Sequence, residues 1–130
     1  MDKKIDKRVQ KTKHAIYIAF VELLNEKDMN QITITDIAKK ANINRKTFYN
    51  YYSDTYEVIE EIQNLVVRAF IKNIGTVEFT NMTDFLTEIF VKFTETVSHD
   101  LEFYNLLFKT NNRSYFIVKI VDILREYVQK

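Results

Sequence analysis

Apolar residues recur along this chain at three- and four-residue steps, the period of a helix with one buried side. The first such run covers 8–26, where Ile16, Phe20, Leu23 and Leu24 share a face and Ala15 and Ala19 admit a close neighbour. Positions 27–31 break the pattern and predict a short connection. A brief second helix is expected over 34–41. The Thr33 hydroxyl can cap its free amides, and Asp36 three residues on completes a capping-box-like pair. Asn42-Ile43-Asn44 reads as a turn, because Asn tolerates the left-handed backbone that ends a helix. Asn44 can then cap a third helix over 45–52, and Ser53 or Asp54 a fourth over 54–73. The fourth helix has Val58, Ile59, Ile62, Leu65, Val66 and Ala69 as its expected buried stripe. The stretch 74–81 reads as a connector. Beyond it, Phe85, Leu86, Ile89, Phe90, Phe93 and Val97 predict one face of a fifth helix. A short sixth is expected over 101–109 and a seventh over 115–128. No internal repeat and no sustained heptad interrupts this series, so the expected fold class is all-α.

Composition reinforces that reading. One Gly and no Pro in 130 residues leave few of the tight turns with positive φ that sandwiches, barrels and doubly wound sheets need. With 46% hydrophobic and 14% aromatic residues, the chain has the material for a core and is not disordered. The absence of Cys excludes disulfide frameworks, thiolate metal sites and cysteine nucleophiles, and suits a reducing compartment. The longest apolar run, 15–21, is far short of the ~20 residues that span a bilayer, and no secretory leader is visible. A soluble cytoplasmic protein without membrane contact is expected.

The net charge of +1 conceals an asymmetry. Through Tyr56 there are eleven Lys and Arg against seven Asp and Glu, whereas the remainder has eight against eleven. A front at +4 on a rear at −3 fits a polyanion-binding head on a separate body, although many solvated helices differ as much.

The informative stretch is 32–52, ITITDIAKKANINRKTFYNYY. Two short helices meet there at a tight turn. Ile37, Ala38, Ile43 and Phe48 point inward by their spacing, with Ala38 at the close crossing and Ile43 plugging the angle. Arg45, Lys46, Tyr49 and Asn50 are left on the outward face of the third helix. These residue types reach phosphates and base edges: Arg and Lys guanine, Asn adenine, a Tyr hydroxyl a phosphate. Thr33 and Thr47 lie near helix N-termini, where free amides attract a phosphate. Spacing alone is equally compatible with a plain helical hairpin that has a solvated polar face.

The residues themselves go further. Thr33-Ile34-Thr35-Asp36-Ile37-Ala38, then Ala41-Asn42-Ile43-Asn44-Arg45-Lys46-Thr47-Phe48-Tyr49 and Tyr51-Tyr52, closely resemble the DNA-binding domain of tetracycline-repressor-type (TetR family) transcriptional regulators. The likeness covers roughly 11–62, and 44–49 is especially like regulators of the dihydroxyacetone kinase operon type. The resemblance implies that Thr33, Thr47 and Tyr49 hold the DNA backbone and that Asn44 caps the recognition helix close to a phosphate. It implies Arg45, Lys46 and Asn50 as base readers, with Tyr51 beside them. There are two departures: Asn42 stands where many members have Gly, and Thr55 where many have a Lys that contacts phosphate. Lys11, Lys13 and the residues before them form either a basic arm or a solubilising tail.

The resemblance also implies a division into a helix-turn-helix head, 1–53, and a helical regulatory domain, 54–130, that binds a small effector. Family members pair through their last two helices. Only three predicted helices follow the connector here, so that domain reads as shortened at its C-terminal end, with a homodimer weak or absent. The aromatic residues at 85, 90, 93, 103, 104, 108, 115 and 116 form either core or pocket, with core favoured. His14 and His99 have no neighbours at metal-ligand spacing, and Glu57, Glu60 and Glu61 read as a solvated face. No Gly-rich phosphate loop or Ser/His/Asp arrangement exists, so no enzyme, catalytic residue, cofactor or metal is expected. The expected function is a repressor that binds a double-stranded DNA operator and is released by a small molecule. The rival is a DNA-binding head whose rear domain binds a partner protein instead.

Overall fold

The computed structural model describes residues 3–74 and 80–109, with short helical stretches at 117–119, 121–122 and 125–126. Among the described residues the order is α1 (Lys3–Leu24), a single 3-10 turn (Met29–Gln31), α2 (Ile34–Ala41), α3 (Arg45–Tyr49), α4 (Thr55–Ile74), α5 (Met82–His99) and α6 (Leu101–Lys109). The helix starts and stops follow from local chemistry. Thr33 and Asp36 form a reciprocal capping box, each side chain accepting from the other's backbone N–H, at 3.0 and 3.1 Å. Asn42 ends α2 with φ 59° and ψ 45°, in the left-handed region. The Ile43 N–H then reaches back to the Ala38 carbonyl at 2.9 Å, which closes the turn in a Schellman arrangement. Asp54 caps α4 by accepting from the Glu57 N–H at 2.9 Å, while Glu57 accepts from the Ser53 N–H at 2.6 Å.

One apolar core runs from the head into the rear of the molecule. Ile16, Phe20 and Leu24 of α1, Ile37 of α2, Phe48 of α3, Val58, Ile62 and Val66 of α4, and Phe103 and Leu107 of α6 are all buried in it. Ala38 is buried as well, and Ile43 packs half-buried against the same cluster. Two polar links reinforce the contact of α1 with α6. The Asn25 side-chain amide donates to the Leu106 carbonyl at 3.3 Å, and His14 Nε2 lies 2.6 Å from Asp100 Oδ2.

Several expectations shift. The first helix begins at Lys3 rather than at 8 and ends at Leu24. Nothing in its first turns breaks a helix. The third helix stops at Tyr49, with Tyr51 and Tyr52 N–H groups still bonded back to Phe48. Leu65 is 40% exposed and does not belong to the buried stripe of α4. On α5 the inward line is Phe85, Ile89, Lys92 and Thr96, which are buried or half-buried, whereas Leu86 and Phe90 are exposed. Apolar residues span two sides of this helix. Its contact with α4 covers only part of them, so Lys92 and Thr96 turn inward beside the expected Phe85, Ile89 and Val97. Of the aromatic residues left between core and pocket, Phe103 and Tyr104 are core, Phe85 and Phe108 are half-buried, and Phe90 and Phe93 are exposed. The expected seventh helix and the residues at 115 and 116 lie largely outside the described residues, as does most of the 74–81 connector.

Candidate functional site

The outward face of α3 is assembled by one residue that points the other way. Phe48 is fully buried, its ring centroid 5.5 Å from that of Tyr52 and 5.8 Å from that of Tyr49. Helix geometry then puts Lys46 and Asn50 opposite it and Arg45 and Tyr49 on its flank, and all four are exposed, Tyr49 at 48%. Arg45 and Tyr49, four residues apart, hold each other: Nη2 donates to the hydroxyl at 3.2 Å and the guanidinium lies 5.9 Å from the ring centroid. A guanidinium has five donors, so this contact orients Arg45 and leaves most of its donors for another acceptor.

Asn44 caps α3. Its Oδ1 accepts from the Thr47 N–H at 2.8 Å and from the Thr47 hydroxyl at 2.9 Å. Both bonds use the amide oxygen, which leaves the Asn44 amide nitrogen as the donor for an outside group. The Thr47 hydroxyl proton is committed to the cap, and Thr47 is half-buried. Thr33 is exposed at the start of α2, its hydroxyl oxygen accepting from Asp36 and its proton free of that bond. Tyr51 is half-buried, and the Lys13 ammonium stands 6.0 Å from its ring centroid. The structure thus places Arg45, Lys46, Tyr49 and Asn50 on one exposed face. Thr33 and Asn44 lie at the two helix starts, and Thr47 and Tyr51 are turned partly inward.

Charge around this face is managed by ion pairs on the helices behind it. Lys27 pairs with Asp36 at 2.9 Å, and Lys40 with Glu26 at 2.6 Å and Glu22 at 3.8 Å. The bond from Lys27, followed by the Thr33 amide, holds the Asp36 carboxyl below the usual carboxylate range. Glu26 pushes the Lys40 ammonium up.

One feature escaped the reading of the sequence. Glu61, expected on a solvated face, is half-buried and collects bonds from Tyr17, Tyr52 and Lys13. These partners stand 44, 9 and 48 residues away, so no spacing rule connects them. Burial pushes the Tyr17 hydroxyl up to about 12, aided by its bond to Glu61. Tyr52 is raised too, by burial first and its bond with Tyr17 second. Beside this cluster a groove of about 800 Å³ opens between α1 and α4, walled by Lys13, Tyr51, Glu57, Glu60, Asn64 and Arg68 among others. Two smaller cavities adjoin it, about 330 Å³ and 300 Å³, where Leu65, Asp100 and Phe103 line both. Among the described residues no group of three His, Cys, Asp or Glu is placed to hold a metal ion. No described helix is long and apolar enough to cross a membrane.

Comparison with known proteins bears on this face. Residues 16–62 match the family model of bacterial regulatory proteins of the tetR family. Over 60 residues the chain is 45% identical to the uncharacterized HTH-type transcriptional regulator YxbF of Bacillus subtilis (strain 168). That stretch is 45% of this chain and only 16% of YxbF. Among solved structures, the fatty acid degradation regulator FadR from Bacillus halodurans superimposes with a TM-score of 0.61 at 19% identity. The match covers 91% of this chain and 63% of that one, and at this identity it concerns the fold. The family and both relatives are regulators rather than enzymes.

Proposed function

We propose that this chain, whose residues 16–62 match the tetR-family model, is a transcriptional regulator that lays α3 in the major groove of a double-stranded DNA operator. The observation that carries the reading is the exposed set Arg45, Lys46, Tyr49 and Asn50 over a fully buried Phe48. Arg45, Lys46 and Asn50 are the base readers. Tyr49, Thr33 and the Asn44 amide nitrogen face the backbone, with Thr47 holding the Asn44 cap in place and Tyr51 behind them. Two such heads read a near-palindromic site whose half-sites lie about 34–36 Å apart. The likeness of 44–49 to regulators of the dihydroxyacetone kinase operon type belongs to the same reading.

The reading divides the chain into a head, 1–53, and a regulatory part, 54–130, with repression lifted by a small-molecule effector. The groove and cavities between α1, α4 and the α5–α6 elbow have the volume such a ligand needs. Because the core is continuous from Phe48 to Leu107, an occupant there acts on packing shared with the head. Selection of bound sequences from random DNA tests the proposal. A recovered consensus, bound with a log–log salt slope near −4 to −5 per head for about five phosphates, is the expected result. Salt-independent binding, or no binding to any selected duplex at about 50 mM salt, overturns it.

A further inference from the structure

Side chains from two other segments end on one oxygen atom of α4. Glu61 Oε1, in the second turn of α4, accepts from the Tyr17 hydroxyl, from the Tyr52 hydroxyl at 3.0 Å and from the Lys13 ammonium at 3.1 Å. Lys13 and Tyr17 are one turn apart on α1. Tyr52 belongs to the strand of backbone that leaves α3, with its N–H on the Phe48 carbonyl at 3.1 Å and its ring against Phe48. Both tyrosines are buried. The Lys13 ammonium also stands 5.6 Å from the Tyr52 ring centroid, so cation and carboxylate grip the exit of α3 from two sides.

A five-residue helix cannot hold its own direction and takes it from its surroundings. Packing of Phe48 fixes which side of α3 turns inward and leaves its fine tilt open, because apolar contact has weak directionality. A hydrogen bond to a charged acceptor does depend on direction, and Tyr52 carries one. We propose that Glu61 is a positioning residue for DNA recognition, setting through Tyr52 the angle at which α3 presents Arg45, Lys46 and Asn50. The inference rests on the DNA-binding reading above. Phosphate contacts, which are electrostatic, tolerate a small change in that angle, whereas base contacts do not. Loss of the grip therefore lowers sequence discrimination more than it lowers affinity for DNA in general.

The test uses the full chain with Tyr52→Phe, which removes one hydroxyl, and Glu61→Leu, which removes the acceptor of the Tyr52 hydroxyl. Affinity is measured for a duplex recovered from random DNA with the unmodified protein and for a random-sequence duplex at the same salt, beside thermal melts. Each variant should lose about tenfold in the ratio of selected to random affinity, with random-duplex affinity held within about twofold. The double variant should be no worse than the worse single one, because the two groups act as a unit. A preserved ratio overturns the proposal whether or not the melting temperature falls, and so does additivity of the two changes. If Glu61→Leu fails to fold, Tyr52→Phe alone is decisive: a preserved ratio in that variant overturns the proposal. Failure of the unmodified protein to select any duplex overturns the DNA-binding reading and this one with it. A selective parent with unchanged variants overturns only this one.

Discussion

Replacing Phe48 by Ala separates the two sides of α3 most sharply. The ring is fully buried and is the only buried side chain of the five in this helix. An aromatic side chain of this kind removes about 150–200 Å² from water, or about 4–5 kcal/mol at ~25 cal/mol per Å². Ala recovers a small part of that, and partial collapse of the void recovers a little more, so about 3–5 kcal/mol is the expected loss. Collapse is hindered here, because the cavity is lined by Tyr52, which is hydrogen-bonded to Glu61 and not free to fall inward. Against a total stability of about 5–15 kcal/mol, the change should lower the melting temperature by about 10–20 °C. The assay is thermal unfolding followed by the helical circular dichroism signal, with Tyr49→Ala as the companion. Tyr49 is half-exposed, and its loss should stay within about 1 kcal/mol while weakening binding to all duplexes alike. Melts of the two variants that coincide, or a Tyr49→Ala melt below that of Phe48→Ala, refute the assignment of faces.

Other outcomes follow from single features. Lys46→Ala should weaken binding to a selected duplex by about 1–3 kcal/mol and relax preference at one base position, as read by competition with single-base variants. Asn42→Ala should cost about 1 kcal/mol in a denaturant titration and Asn42→Gly nothing, because only the former puts an ordinary Cβ at φ 59°. The Gln63 side chain is buried and its amide nitrogen has no acceptor among the described residues, so Gln63→Leu should be neutral or should stabilise by about 1 kcal/mol. The Asp36 carboxyl is held low by Lys27 and Thr33, and Glu61 is held low by its three donors although burial opposes this. Depressed carboxyls add stability that is complete above their unfolded values, near pH 4, and is lost as pH falls through the lower folded values. Asp36→Asn should therefore flatten the acid limb of a stability–pH curve and leave stability at pH 8 to 9 on a constant offset.

Local chemistry was enough to place the helix-turn-helix. The Thr33–Asp36 capping box, the left-handed Asn42 and the Asn44 cap act within four residues of chain, so each is legible where it is written. The same holds for Phe48 facing in and Tyr49 facing out, since the rotation between neighbours on a helix is constant. Residue types on the outward face fit DNA or a plain solvated face alike, and it is the resemblance of the whole string 33–52 to a TetR-family head that points to DNA.

What the neighbours of each helix cover was settled only by packing. The run Phe85 to Val97 is apolar on two sides, and a periodicity that serves either side equally does not say that Thr96 turns inward and Phe90 stays 70% exposed. Leu65 left the core for the same reason, because α4 is shared between α1 and α5 and the groove opens along its remaining side. Glu61 is the clearest case. A glutamate on a helix looks solvated from its own sequence, and only the approach of α1 and the exit of α3 to α4 brings Tyr17, Lys13 and Tyr52 to one carboxylate. Caps and turns are bonds between near neighbours in the chain, whereas a half-buried charge is held by partners that the fold alone brings within reach.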